Sequence, residues 1–236
     1  MKRSTRFASW AILASAAWTA CCAQDPKFLP EMDIHLKLNG STRVLLQAKD
    51  DTEGGDPQQF TFGPSMQFYL APLLKLKQIT LFDLDDVKKR MLMVESGYRI
   101  ITSPGSPATN RAIEAVTFHA PTIAGVLLSD RNRADLDWQA GSFTWRYRNR
   151  LTAERTVRVA SYHVIPYVAA EPFYESKYGK WSTTDLYAGV RFPVGKTVQF
   201  DLYYEHENNT GKSPNRQNNF IGIKLDLFFS TAPPAQ

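Results

Sequence analysis

FTWRYRNRL, residues 143–151, alternates its chemistry at almost every step: Phe143, Trp145, Tyr147 and Leu151 share one parity, and Arg146, Arg148 and Arg150 share the other. Successive side chains of a β-strand point to opposite faces, so the stretch has an aromatic face and a cationic face. An arginine at the midplane of a bilayer costs roughly 2–4 kcal/mol. Three of them on one face therefore predict a strand whose arginines look into a polar lumen and whose aromatics look out at lipid. The preceding segment repeats the arrangement, with Arg131, Arg133, Asp135 and Asp137 on one parity and Leu136 and Trp138 on the other. Asp130 and Asn132 fall on the outward parity, which predicts a bulge or an interfacial depth there.

The same period runs along most of the chain. Met32, Ile34, Leu36 and Leu38 alternate with Asp33, His35, Lys37 and Asn39, and Asn39-Gly40-Ser41 turns the chain into Val44 and Leu46 against Arg43, Gln47 and Lys49. Phe60, Phe62, Met66, Phe68 and Leu70 form a third outward row after the polar loop DDTEGGDPQQ (50–59). Further strands are predicted over about 91–102, 110–119, 126–138, 142–153, 157–174, 182–193, 196–208 and 218–229. Near the end, Phe200, Leu202, Tyr204 and His206 alternate with Asp201, Tyr203, Glu205 and Glu207.

The count is eleven, whereas single-chain bacterial barrels have even numbers of strands. The expectation is an all-β, antiparallel up-and-down transmembrane β-barrel of about twelve strands (10–12). Twelve needs another strand in 73–82; ten needs 110–119 to fall short of a complete strand. Connections read as alternately short (APTIAG, 120–125; PVGK, 193–196) and longer (103–110, 176–182, 209–217), the asymmetry of periplasmic turns and outside loops. Residues 73–90 break the period, and Leu81, Leu84 and Val87 behind Asp83 predict a short helix or turn on the periplasmic side.

The first 23 residues have the layout of a cleaved secretory leader: basic Lys2, Arg3 and Arg6, an apolar stretch from Phe7 to Ala20, and a small-residue exit ending at Ala23. A lipoprotein anchor on Cys21 is the alternative, but Trp18 stands where a leucine-like residue is expected. The leader holds three of the 28 Lys and Arg and none of the 23 Asp and Glu, so its removal cuts the basic excess from five to two. The basic balance is thus a poor argument for nucleic acid. Both cysteines lie in the leader, which excludes a disulfide framework or thiolate chemistry in residues 24–236. These are expected to form a single domain ending in a disordered tail, 230–236. The mean hydropathy is negative, as it also is in a barrel whose every second residue faces a polar interior.

Chemistry is thin. Ser161 and His163 share a parity with Tyr167 and Glu171, which reads as a hydrogen-bonded pair in the lumen rather than a lipid hydrolase's nucleophile and base. His35, His119 and His206 have no metal-ligand spacing, and DLDD (83–86) lacks the glycine and terminal glutamate of a calcium loop. No metal, cofactor or catalytic residue is predicted, and the protein is expected not to be an enzyme.

LLSDRNRADLDW (127–138), FTWRYRNRLTAER (143–155), PYVAAEPFYESKYGKW (166–181) and PEMDIHLKLN (30–39) resemble an uncharacterised bacterial family, the domain of unknown function family 2490. The likeness covers roughly Phe28 to Phe229. It implies an outer-membrane β-barrel and carries no catalytic residues. The closing strand, with Gly222 and outward Ile221, Ile223, Leu225, Leu227 and Phe229, also resembles the signal read by the barrel-assembly machinery.

The resulting expectation is a monomeric barrel of the outer membrane of a Gram-negative-type cell, with a structural, binding or narrow, porin-like role. Its lumen is lined by Arg131, Arg133, Asp135, Asp137, Arg146, Arg148, Arg150, Asp201, Glu205 and Glu207. Its partners are membrane lipid, lipopolysaccharide and the assembly machinery, without nucleic acid. The alternatives are a lipid-modifying barrel enzyme and a periplasmic lipocalin-like barrel.

Overall fold

The computed structural model describes residues 27–53, 56–70, 84, 88–122, 125–211 and 213–231. The leader, most of 73–90 and residues 232–236 lie outside the described residues, and with them the expected helix, the DLDD run and the strand sought in 73–82.

Twelve strands run in chain order: β1 (Lys27–Lys37), β2 (Thr42–Glu53), β3 (Asp56–Leu70), β4 (Leu92–Ser103), β5 (Ser106–Pro121), β6 (Val126–Gln139), β7 (Ser142–Arg155), β8 (Val157–Val159), β9 (Tyr162–Glu175), β10 (Lys180–Val194), β11 (Val198–Asn209) and β12 (Arg216–Ser230). Each pairs antiparallel with its chain neighbour, the gap between β7 and β8 excepted, and β12 closes on β1. The expected all-β barrel is therefore present. Closure leaves the ring no free edge, so every strand has a ladder on both sides.

Eleven of these strands make the ring. The pairing of β8 with β9 (Val157 opposite Val164) continues that of β7 with β9 (Glu154 opposite Tyr167), so β8 prolongs β7 past Thr156 into a hairpin beyond the ring. That hairpin turns at Ala160, whose φ is 54°, and it splits the single strand expected over 157–174. In an up-and-down ring an odd count sends the first and last strands the same way. Accordingly β1 and β12 pair in parallel, from Lys27 opposite Phe220 to Lys37 opposite Ser230. The even-number expectation thus fails for the ring, and the two ends of the described chain lie at opposite rims.

The loops are also shorter than the sequence reading had them. Only Pro104 and Gly105 separate β4 from β5, and only Ala140 and Gly141, both at positive φ, separate β6 from β7. Positive φ at both central residues, as at Ala140 and Gly141, matches the right-handed twist of the strands joined. Residues 50–53, 56–59, 103 and 106–110, read as polar loops, extend the ladders instead, while 176–179 and 210–215 remain connections.

Inside the ring, tyrosine rings lie over glycines on the neighbouring strand. Tyr203 is opposite Gly222 and Tyr167 opposite Gly189; a Cβ on Gly222 would meet the Tyr203 ring at 2.0 Å, and one on Gly189 the Tyr167 ring at 2.7 Å. Tyr203 packs with Leu29, Ala169, Tyr187 and Phe220, the main apolar cluster of the interior. Gly222→Ala is therefore expected to cost about 1–3 kcal/mol in denaturant unfolding, the usual penalty of overfilling a packed site. Gly40→Ala, with nothing within 4 Å, is expected to stay within about 0.5 kcal/mol of the parent. In a Tyr203→Ala background most of the Gly222→Ala cost should vanish; full additivity would show that the ring and the glycine do not share one space.

Candidate functional site

The inward parity collects the charges. Asp135 on β6 and Glu171 on β9 are both 0% exposed, and guanidinium groups surround them. Asp135 accepts from Arg133 Nε at 2.5 Å and from Arg146 Nη2 at 2.9 Å, with an Arg148 nitrogen at 3.7 Å. Glu171 takes a two-point contact from Arg148, at 3.0 and 2.9 Å, and Arg150 donates to it at 2.8 and 2.5 Å. The planar fork of arginine suits this bidentate geometry. Asp137 belongs to another pair, receiving Arg111 of β5 at 2.6 and 2.8 Å.

A second network staples the parallel seam. Lys224 of β12 reaches Asp33 at 2.5 Å and Glu31 at 3.0 Å on β1, and Asp226 of its own strand at 3.5 Å. Gln47 donates to both Glu31 and Asp33, and His35 Nε2 lies 2.9 Å from Asp226. Asp33, His35 and Asp226 are the group among the described residues whose spacing could hold a metal ion. The Lys224 ammonium is the cation its carboxylates already share.

A third network joins Glu154 to Lys88 (2.6 Å) and to Arg191, which also contacts Asp201 at 3.2 Å; the Tyr167 hydroxyl donates to Asp201 at 3.1 Å. Glu205 and Glu207 line the same interior, and Asn218 donates to Glu207 at 2.5 Å. Arg150 stacks on the Tyr187 ring and Arg191 on the Tyr167 ring, each 4.2 Å from the centroid. These stacked pairs narrow the lumen.

All ten residues singled out from the sequence thus stand on inward positions. Arg131 is the least tied of the arginines among them, with Glu171 only at 4.0 Å. Four hubs were missed as such: Glu171, Lys224, Asp33 and Lys88. The first three carry an inward parity that was legible, but nothing local announces which strand supplies their partners. Lys88 sits outside the strands and has no periodic signal at all. Ser161 falls in the exposed β8–β9 turn, and neither it nor His163 lines the cavity.

That cavity has a volume of about 680 Å³ and is lined by residues of both rims, from Asp51, Gln59 and Asn209 at one end to His35, Lys88 and Phe228 at the other. Its walls differ in sign. The difference is one of net charge: β4 to β7 supply Arg99, Arg111, Arg131, Arg133, Arg146, Arg148 and Arg150 against Glu95 and Glu154, whereas β10 to β12 supply Asp185, Asp201, Glu205, Glu207 and Asp226 against Arg191 and Lys224. Opposed rows of this kind set a transverse field across a narrow interior, acting on charged or dipolar solutes.

Fold and interior together define a closed eleven-stranded β-barrel with a charged, constricted lumen. The family described as "Protein of unknown function (DUF2490)" matches residues 31–218, and the chain belongs to it. No curated protein matches the chain significantly.

Proposed function

We propose that this protein is an outer-membrane β-barrel of a Gram-negative-type cell, exported behind its leader, whose lumen is a narrow passage for small polar solutes with a preference for anions. The observation that carries this reading is the reversal of polarity. Asp135 and Glu171 are fully buried inside the ring, while Phe62, Leu151, Val168, Leu186, Leu202 and Ile223, on six different strands, are 43–57% exposed on its outside. Water-soluble monomers rarely expose apolar patches beyond a few hundred Å², and here the apolar rows recur round the ring. A lipocalin-like barrel needs the opposite arrangement, a polar outside around an apolar ligand cavity. Aromatics concentrate near one rim, where Trp138, Phe143, Trp145, Tyr174 and Trp181 stack in pairs at 5.3–5.9 Å, the composition of a membrane–water interface.

The passage follows from a cavity lined from rim to rim, and the anion preference from Arg131, the lumen arginine of β6 and β7 whose carboxylate partner stands farthest away, at 4.0 Å. In planar bilayers the purified protein is expected to give a small conductance favouring anions, and Arg131→Gln is expected to reduce that preference. A protein that shifts on a gel only after boiling, as folded barrels do, but passes no current would sink the passage and leave a closed structural barrel.

A further inference from the structure

The apolar outer wall is interrupted at mid-height on one side. Ser96 on β4, Glu114 on β5, Asp130 and Asn132 on β6, and Tyr147 and Asn149 on β7 all take the outward parity. They form two hydrogen-bonded groups side by side, one on β4 and β5 and one on β6 and β7, with Ala134 between Glu114 and Tyr147. Ser96 donates to Glu114 at 2.7 Å, Asn149 to Asp130 at 2.7 Å and to Asn132 at 3.0 Å, and Tyr147 to Asn132 at 2.5 Å.

A bulge accounts for neither Asp130 nor Asn132, and a rim position does not account for Asn132. The ladders of β6 with β5 and β7 run without a register shift, and Glu114, Asn132 and Asn149 stand midway along their strands. Tyr204, His206 and Asn219 also cluster on the outside, but His206 and Asn219 lie close to the strand ends Asn209 and Arg216. An interfacial depth suits them and does not suit the first patch.

We propose that this face of β4 to β7 docks a second copy of the chain, forming a two-fold dimer within the membrane. The proposal rests on the membrane reading above. In hydrocarbon a polar group without full hydrogen bonding is costly, and a carboxylate most of all. A carboxylate offers about four acceptor sites, and Asn149 fills one on Asp130. Inside the patch Ser96, Tyr147 and Asn149 already spend their donors, so what it offers a partner is the Asn132 amide, and what it lacks are donors to the remaining acceptor sites of Asp130 and Glu114. A two-fold contact brings the same surface together from both sides, so it requires this self-complementarity. One patch on one side of the ring closes a pair and does not propagate. Ala112 and Ala134 also point outward there, and small side chains let two walls approach closely. The monomer expected from the sequence gives way to a dimer on this reading.

The test uses the full chain in native membranes, with Ala134→Cys on the patch and Ile223→Cys on another wall, treated with a bifunctional maleimide. The parent chain, whose two cysteines leave with the leader, is the cysteine-free control. A covalent dimer through Ala134→Cys and not through Ile223→Cys is expected. Asp130→Leu with Asn132→Leu and Asn149→Leu should weaken it by about tenfold or more while the boiling-dependent gel shift persists. A protein that resists carbonate extraction yet gives no patch-specific cross-link, or cross-links to a product of another mass, overturns the dimer and leaves the membrane reading standing. Release of the protein by carbonate overturns both.

Discussion

Glu171→Ala is expected to destabilise the barrel by about 3–5 kcal/mol, the cost of leaving buried charge without its partner. The carboxylate is fully buried and holds Arg148 and Arg150 together, with Arg131 at 4.0 Å. Without it, those guanidinium groups crowd one another around an empty space. The measurement is the urea midpoint of the refolded protein followed by tryptophan fluorescence, at unchanged slope. Lys177→Ala, which breaks a half-exposed pair with Glu175, is the comparison and should cost at most about 1 kcal/mol. Replacing Glu171, Arg148 and Arg150 together by leucine should recover most of the loss, because apolar groups of similar volume leave only Arg131, already 4.0 Å away, without its carboxylate. A parent-like midpoint for Glu171→Ala would mean that lumen water solvates the arginines and that their network does not hold the ring together.

Leu202→Arg is expected to cost about 2–4 kcal/mol in vesicles, and Val194→Arg only about 0–1 kcal/mol. Both residues point outward, 50% and 54% exposed, but Leu202 stands midway along β11 between Val190 and Ile223, whereas Val194 ends β10 at the rim. Lipid alone creates this dependence on depth. In water an exposed arginine at either position would be tolerated equally, so equal midpoints for the two variants would count against the membrane reading whatever the lumen does.

Residue by residue, much of the barrel was legible because facing is a local property. The pleat decides that Arg146, Arg148 and Arg150 share a side and that Phe143, Trp145 and Tyr147 share the other, and no distant contact can alter this without a bulge. The same logic exposed Asp130 and Asn132 as outward, yet a bulge or an interfacial depth was the expected remedy, where the structure keeps regular ladders and builds a polar patch. Strand number also came close, since each turn leaves a local mark; Ala160, a residue without turn chemistry of its own, hid the break between β8 and β9.

What the sequence by itself determined is therefore the class of fold and the polarity of its two faces, through a period of two that each strand carries alone. The tertiary structure decided the odd ring with its parallel seam, the pairing of Lys224 with Asp33, the capture of Arg148 and Arg150 by Glu171, and the gathering of the arginines on one wall. The physical reason is register. Which charge meets which depends on how strands far apart in the chain slide past one another before the ring closes, and closure satisfies all of those ladders at once.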